Sequence, residues 1–307
     1  MKAFVTVCVL VFSTFINASQ LNNIVVFGDS LSDNGNLYEH MHHLIPQNPP
    51  YYDGRFSNGP VWIEQLVSSY FPNNVASHLS DHAFGGAAIA ENSSDDEILF
   101  TLNREINTYL LGRQNKADPK SLYVVWIGGN NYLALPENEE HTNTVVTQGI
   151  AAGVERLVKA GARHILVLNL PDLGQTPAAR ALQVEAKLTR LSKHHNELLV
   201  KAIHGLKRKY SKVQWLYFDA YKIFNKFLSS AADYGFTNTL NSCYDVSVDK
   251  PSINATVLMA AKASKIQDDS CEGYVFFDPV HPTTMAHQLI AQEVHAILDA
   301  AHIQFSD

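Results

Sequence analysis

The sequence is short of positive charge. Its 23 Lys and Arg residues are outnumbered by 30 Asp and Glu residues, so the 307-residue chain has a formal net charge of -7. An acidic chain has no general electrostatic attraction to nucleic acid or to anionic lipid head groups. The composition therefore predicts no nucleic-acid partner, and any contact with a membrane surface would be transient and made through a local apolar patch.

Long hydrophobic runs are also scarce. The longest, residues 3–16, is 14 residues long and mostly apolar, shorter than the roughly 20 apolar residues that span a bilayer. It follows a basic start and precedes the small residues Ala18 and Ser19, which is the pattern of a secretory signal peptide. We expect residues 1–18 to be that signal, with cleavage after Ala18, and the protein to be secreted to the periplasm or the extracellular space.

Cysteine is rare, with three in the chain. Cys8 lies in the apolar amino-terminal stretch, so Cys243 and Cys271 would remain after its removal. An even pair in an exported protein favours one disulfide. Two free buried thiols are the alternative.

The chain has no internal repeat, low-complexity tract or proline-rich linker, and we expect a single domain over 19–307. Apolar runs typical of strands alternate with amphipathic stretches typical of helices, which predicts an α/β fold with a parallel sheet covered on both faces. One segment departs from this pattern: residues 231–273 are polar and contain both cysteines, so they are predicted to be an insertion. The predicted strands are 24–27, 122–127, 164–170, 214–218 and 274–277, with a weaker one before Gly85, and the predicted helices are 60–70, 97–111, 144–160, 178–209 and 283–300.

Four short motifs follow predicted strands. In open parallel sheets the carboxyl ends of the strands form the edge where ligands bind, so these motifs are expected to converge there. They are Gly28-Asp29-Ser30, Gly85-Gly86-Ala87, Gly128-Gly129-Asn130-Asn131 and Asp278-Pro279-Val280-His281.

The motifs together contain the groups that acyl transfer requires. A serine needs a base to remove its proton, and that base needs an acceptor to orient it. Ser30 is the candidate nucleophile, His281 the candidate base and Asp278, three residues earlier, the candidate acceptor. Each motif alone is common in ordinary turns; it is their combined placement at strand ends that indicates catalysis.

A tetrahedral intermediate also needs hydrogen-bond donors for its negative oxygen. The backbone N–H groups of Ser30 and Gly86 and the side-chain amide of Asn130 are suitable donors, with Gly85 as an alternative to Gly86. Asp29 and Asp33 are expected to accept hydrogen bonds from the backbone of the nucleophile loop.

These motifs resemble the conserved blocks of the GDSL lipase/esterase branch of the SGNH hydrolases. The resemblance rests on FGDSLSDNGN, GRFSNGPVWIE, AFGGA, VWIGGNNYL and FFDPVHPT, and covers nearly the whole predicted mature chain. It implies a flavodoxin-like, three-layer α/β/α sandwich and assigns the roles given above to Ser30, Asp278, His281, Gly86 and Asn130. The chain departs from the family at Asn131, where members often have Asp, and at Asp81-His82, where they often have Asn-Tyr.

Within that family the chain is most similar to the secreted bacterial lysophospholipase A and glycerophospholipid:cholesterol acyltransferase group. The resemblance implies hydrolysis of fatty-acyl esters of lysophospholipids or phospholipids, with a sterol as a second possible acyl acceptor. The alternatives are an acyltransferase as the main activity, a carbohydrate acetylesterase, and a catalytically silent lipid-binding protein. We also expect the loop between Cys243 and Cys271 to cover or border the active site.

The remaining histidines and aromatics indicate no further site. No carboxylate or cysteine pattern completes a metal site around His40, His42 and His43, and the expected mechanism needs neither metal nor cofactor. His195 is predicted to lie on the surface of a long polar helix. The aromatics of PPYYDGRF are predicted to serve in packing and turns, with lining an acyl channel as the alternative.

Overall fold

The computed structural model describes residues 20–91, 100–244 and 270–306. The predicted signal peptide (1–18) and most of the polar insertion (245–269) lie outside these residues. The strands are β1 Gln20–Leu21, β2 Asn23–Gly28, β3 Leu79–Asp81, β4 Ser121–Trp126, β5 His164–Leu168, β6 Gln214–Phe218, β7 Asn238–Ser242, β8 Tyr274–Phe276 and β9 Gln304–Phe305.

The central sheet has five parallel strands in the order β3-β2-β4-β5-β6. Its middle strands β4 and β5 are buried along their whole length. Both side-chain faces are therefore covered, which explains why these runs are apolar throughout instead of alternating. The predicted parallel α/β sheet is confirmed.

Helices pack against both faces and produce three layers. The helices are α1 Asn36–His40, α2 Trp62–Tyr70, α3 Val75–His78, α4 Leu102–Gly112, α5 Gly129–Leu133, α6 Glu139–Ala160, α7 Pro177–Ala181, α8 Glu185–Lys209, α9 Ala220–Ser229 and α10 Thr284–Ala300. Odd-numbered sheet positions such as Val25 and Tyr123 face α4, α5, α6 and α8, whereas even-numbered ones such as Val26 and Val124 face α2, α9 and α10. No helix in the described ranges combines the length and the apolar character needed to cross a bilayer.

Three predicted helices have clearly different boundaries in the structure, and the one predicted at 97–111 begins at Leu102. The helix predicted at 178–209 is divided between α7 and α8, because the chain turns at Gln183, which has a φ of 56°. The helix predicted at 144–160 begins earlier, at Glu139, where the Asn138 side chain accepts a hydrogen bond from the His141 N–H. Such a cap satisfies an amide that has no acceptor within the first helical turn.

The last predicted strand is not part of the central sheet, which corrects the expectation that all four motifs end strands of one sheet. β8 pairs in parallel with β7, which belongs to the segment predicted as a polar insertion. A disulfide between Cys243 and Cys271, with Cα atoms 5.4 Å apart, joins the chain segments that flank this pair. The predicted disulfide is therefore present, and the two-stranded sheet gives the backbone of β8 its partners.

Candidate active site

Ser30 lies two residues beyond β2 in a tightly bonded loop. A Cβ atom at Gly28 would lie 2.5 Å from the Trp126 carbonyl oxygen, so glycine is required where β2 approaches β4. The Asp33 carboxylate accepts hydrogen bonds from four backbone N–H groups, including those of Gly35 at 2.8 Å and Gly85 at 2.7 Å. The expectation that Asp33 supports the backbone of this loop is confirmed.

Asp29 makes a smaller contribution to the same loop. Its Oδ1 accepts a hydrogen bond from the Leu31 N–H at 3.1 Å. Burial raises the pKa of Asp29 to about 7, against the opposing effects of the Leu31 N–H and the charge of His281. Burial likewise raises the pKa of Asp33 to about 6 despite its four backbone donors.

Asp278 and His281 lie in one short turn after β8, and His281 reaches Ser30. The Asp278 Oδ2 is 2.6 Å from His281 Nδ1, and His281 Nε2 is 2.8 Å from Ser30 Oγ. All three residues are buried. Residues separated by 251 positions thus form one hydrogen-bonded chain from hydroxyl to imidazole to carboxylate.

The turn itself holds the Asp278 carboxylate in place. Its Oδ1 accepts the backbone N–H groups of Val280 at 2.9 Å and His281 at 2.7 Å. Burial by itself would raise the pKa of Asp278, but the charge of His281 and the hydrogen bonds lower it below its usual value. The carboxylate is therefore an anion suited to accept a hydrogen bond from the protonated Nδ1 of His281.

The donors predicted for a negative oxygen differ in what already binds them. The Gly85 N–H already donates to Asp33. The next residue, Gly86, has a left-handed backbone conformation with a φ of 78°. The Asn130 Nδ2 donates to the Ala87 carbonyl at 2.8 Å, which orients the amide. The Asn131 side chain accepts the Ile89 N–H at 3.0 Å and donates to the Ile89 carbonyl at 2.9 Å. These two bonds join the motif that contains Asn131 to the segment that follows Gly86.

An apolar cavity opens beside the serine. It holds about 700 Å³ of empty space, counting the part that opens to solvent, and Ser30, Asn130 and His281 lie in its wall, whereas Gly85 and Gly86 do not. The apolar lining extends across the carboxyl ends of β4 and β6 toward α9 and α10. It includes Leu31, Trp126, Leu133, Phe218, Ile223, Phe224, Phe276 and Ile290.

The sequence matches a family that this geometry fits. A profile of the GDSL-like lipase/acylhydrolase family matches residues 24–294, which include Ser30, Asn130, Asp278 and His281. This chain belongs to the GDSL-like lipase/acylhydrolase family. The resemblance recognised in the sequence is confirmed, and the chain is a carboxylic ester hydrolase of that family, in which both hydrolases and acyltransferases occur.

The relatives of this GDSL protein include an acyltransferase, a secreted effector and a hemolysin by name. It is 33% identical to the phosphatidylcholine-sterol acyltransferase of Aeromonas hydrophila over 92% of this chain and 91% of that protein. It is 30% identical to the secreted effector protein SseJ of Salmonella typhimurium and 27% identical to the thermolabile hemolysin of Vibrio parahaemolyticus. Each of the latter two matches covers 90% of this chain and 63% of the relative.

Two residues of the GDSL site escaped the sequence analysis. The Tyr51 hydroxyl donates to Asp278 Oδ2 at 2.7 Å, although the segment that contains Tyr51 was predicted to serve in packing and turns. Glu105, on the buried side of α4, accepts the Gly28 N–H at 2.9 Å, and burial raises its pKa well above the usual value. Neither position carries a local signal, since each contact joins segments far apart in the chain.

Three other histidines of the GDSL protein contact neighbouring side chains. His43 pairs with Glu39 at 3.0 Å, and the ring of His40 packs edge-on against Phe100. The prediction of a surface position for His195 is wrong. Its ring is buried with Nδ1 2.8 Å from the Tyr132 hydroxyl, because α8 turns this side chain toward α5.

Proposed function

We propose that this protein hydrolyses fatty-acyl esters of lysophospholipids through an acyl-enzyme formed on Ser30. The observation that carries the proposal is the 2.8 Å contact between Ser30 Oγ and His281 Nε2 in the wall of an apolar cavity. A hydroxyl paired with a base can attack an ester, and an adjoining apolar cavity can bind the acyl chain.

The proposed first half-reaction acylates the serine. Ser30 Oγ attacks the ester carbonyl while its proton passes to His281 Nε2, and Asp278 stabilises the resulting imidazolium through Nδ1. The tetrahedral oxyanion would accept hydrogen bonds from Asn130 and from backbone N–H groups. Gly86 is favoured over Gly85 among these because the Gly85 N–H already donates to Asp33. The intermediate then collapses, and the leaving alcohol takes the proton from His281.

In the second half-reaction a water molecule gives its proton to His281 Nε2 and attacks the acyl-serine. Collapse of this second intermediate releases the fatty acid, and the proton returns to Ser30 Oγ. Both halves use the same donors, so one geometry serves both steps.

The apolar lining supports a long acyl chain as the substrate. Trp126, Phe218 and Phe224 border the cavity, and burying each methylene of an acyl chain contributes about 0.8 kcal/mol. A chain of many methylenes would therefore bind much more tightly than an acetyl group, which argues against a carbohydrate acetylesterase.

Acyl transfer to a sterol is the second candidate activity. It is supported by the 33% identity to a phosphatidylcholine-sterol acyltransferase over 92% of this chain. Transfer requires only that an alcohol replace water in the second half-reaction.

Export is the proposed location. Residues 1–18 have the pattern of a signal peptide, and a Cys243–Cys271 disulfide is stable in an oxidising compartment. A transient contact with a membrane surface would give the enzyme access to its lipid substrate.

The test compares wild type with Ser30→Ala on lysophosphatidylcholine, diacyl phosphatidylcholine and acetylated sugar, each with and without cholesterol. Free fatty acid and cholesteryl ester are measured by mass spectrometry. We expect fatty-acid release from the lysolipid and a loss of at least about 10³-fold in Ser30→Ala. Ser229→Ala, which alters an exposed serine on α9, is the control.

The outcomes separate the candidates. Cholesteryl ester as the main product would favour transfer, and preference for acetylated sugar would favour an acetylesterase. A Ser30→Ala variant as active as the Ser229→Ala control would refute the proposed nucleophile. A wild type that is inert on every ester and does not react with a serine-directed phosphonate would support a silent lipid-binding protein.

A further inference from the structure

The catalytic carboxylate candidate receives a hydrogen bond that its own turn does not supply. The two backbone donors of the turn both bind Asp278 Oδ1. Oδ2, the oxygen next to the imidazole, accepts from the Tyr51 hydroxyl at 2.7 Å as well as lying 2.6 Å from His281 Nδ1. Tyr51 and His281 therefore bond to the same oxygen atom of Asp278.

The direction of this bond is determined by the groups around it. Burial and the neighbouring Asp278 raise the pKa of Tyr51 well above its usual value, so the phenol keeps its proton. An ionised carboxylate can only accept. The Tyr51 hydroxyl thus donates, and such a charge-assisted bond is stronger than one between neutral groups.

The ring of Tyr51 is held by aromatic neighbours. It packs edge-on against Phe277 at 5.1 Å, Tyr244 at 5.7 Å and Phe56 at 6.0 Å between ring centroids. Phe56 also lies 5.1 Å from the His281 ring. The hydroxyl can scarcely leave Asp278 without displacing this packing, so its position is set by the fold.

Tyr51 is separated from the place where substrate would bind. Its side chain is fully buried, and it is not among the residues that line the cavity beside Ser30. The influence of the Tyr51 hydroxyl on catalysis therefore passes through Asp278, to which it donates.

We propose that Tyr51 is a positioning residue that holds Asp278 Oδ2 in line with His281 and stabilises the negative charge of the Asp278–His281 pair. Its hydrogen bond fixes the oxygen that orients the imidazole toward Ser30. Because the donor favours the deprotonated form of the pair, its removal makes the pair easier to protonate.

The substitution Tyr51→Phe isolates the hydroxyl because it keeps the ring. With a soluble ester of a fatty acid, we expect kcat to fall roughly tenfold, the effect of losing one hydrogen bond to a charged group, while KM changes by less than about twofold. The acidic limb of the pH–rate profile should move upward by about half a pH unit or more.

Tyr52→Phe is the matched control. Tyr52 is the next residue, and it is 43% exposed. The same loss of a phenolic hydroxyl there should leave kcat, KM and the pH profile as in wild type.

A double-mutant cycle with Asp278→Ala distinguishes positioning from a general effect on folding. If Tyr51 acts through Asp278, Tyr51→Phe will change the residual kcat of the Asp278→Ala protein by less than about twofold. A fall in that background as large as in wild type would show that the hydroxyl acts elsewhere or only supports folding, and would overturn the proposal.

The inference rests on the proposed ester hydrolysis, and the experiment separates the two. A wild-type protein inactive on every ester would remove the proposed function itself. An active wild type together with a Tyr51→Phe variant of unchanged kcat and unchanged acidic limb would leave the function standing and overturn the role of Tyr51.

Discussion

Replacing Asp29 with asparagine should change how the stability of this protein depends on pH. Burial raises the pKa of Asp29 from 3.8 to about 7 in the folded protein. Asparagine keeps an oxygen that can accept the Leu31 N–H but carries no titrating group. The variant therefore removes the ionisation and preserves the hydrogen bond.

The sign of the effect follows from the two pKa values. Below 3.8 the carboxyl is protonated in both the folded and the unfolded chain, and no free energy is lost. As pH rises toward about 7, the unfolded chain releases this proton more readily, so the free energy of unfolding falls. Each unit by which the Asp29 pKa is raised corresponds to about 1.4 kcal/mol, so the free energy of unfolding falls by about 4 kcal/mol between pH 4 and pH 8.

The other buried groups make a comparison with wild type necessary. Asp33 has a pKa raised to about 6 and acts in the same direction as Asp29. Burial lowers the pKa values of His195 and His287 to about 3, so stability from these groups is lost as pH falls below 6.5. Subtracting the wild-type curve from that of Asp29→Asn removes these shared contributions.

Urea unfolding followed by tryptophan fluorescence at several pH values from 4 to 8 measures this difference. We expect Asp29→Asn to gain about 4 kcal/mol relative to wild type across that interval. Asp233→Asn, which alters an exposed carboxylate, is the control and should give a flat difference. A flat difference for Asp29→Asn as well would refute the reasoning that burial keeps Asp29 protonated.

Three further predictions concern the loop, the cavity and the disulfide. Gly28→Ala places a Cβ atom 2.5 Å from the Trp126 carbonyl oxygen and should lower the unfolding free energy by about 2 kcal/mol, measured by urea unfolding; unchanged stability and activity would contradict the close approach. Ile223→Trp fills part of the cavity and should reduce the ratio of palmitoyl to butyryl ester hydrolysis at least about tenfold in kcat/KM; an unchanged ratio would place the acyl chain elsewhere. Replacing Cys243 and Cys271 together with serine opens a loop of 28 residues and should cost about 3 kcal/mol in urea unfolding; equal stability would argue against the bridge.

The catalytic candidates were predictable because each lies in a short motif. Ser30 lies two residues after the glycine that ends an apolar run, and Asp278 precedes His281 by three residues, a spacing that one turn can hold. The apolar character of β4 along its whole length likewise indicated a strand covered on both faces. Local spacing and composition carry this information because neighbours in the chain must be neighbours in space.

Other features depend on contacts between distant segments. The Tyr51 hydroxyl meets Asp278 across 227 residues, and a tyrosine in an aromatic-rich loop looks the same in sequence whether it packs or donates. The burial of His195 depends on which side of α8 faces α5. The pairing of β8 with β7 required a polar segment to supply a strand, which its composition does not indicate.

The sequence by itself determined the alternation of strands and helices in the central sheet, the candidate residues for acyl transfer and the family to which the chain belongs. These follow from periodicity and from side-chain chemistry, which are properties of the chain before it folds. Only the tertiary structure decided that Ser30 meets His281, that Tyr51 shares an oxygen of Asp278 with it, and that an apolar cavity lies beside them. Those arrangements depend on the packing of helices against both faces of the sheet. A hydrogen bond between distant residues forms only when this packing brings the donor and acceptor atoms within about 3 Å of each other.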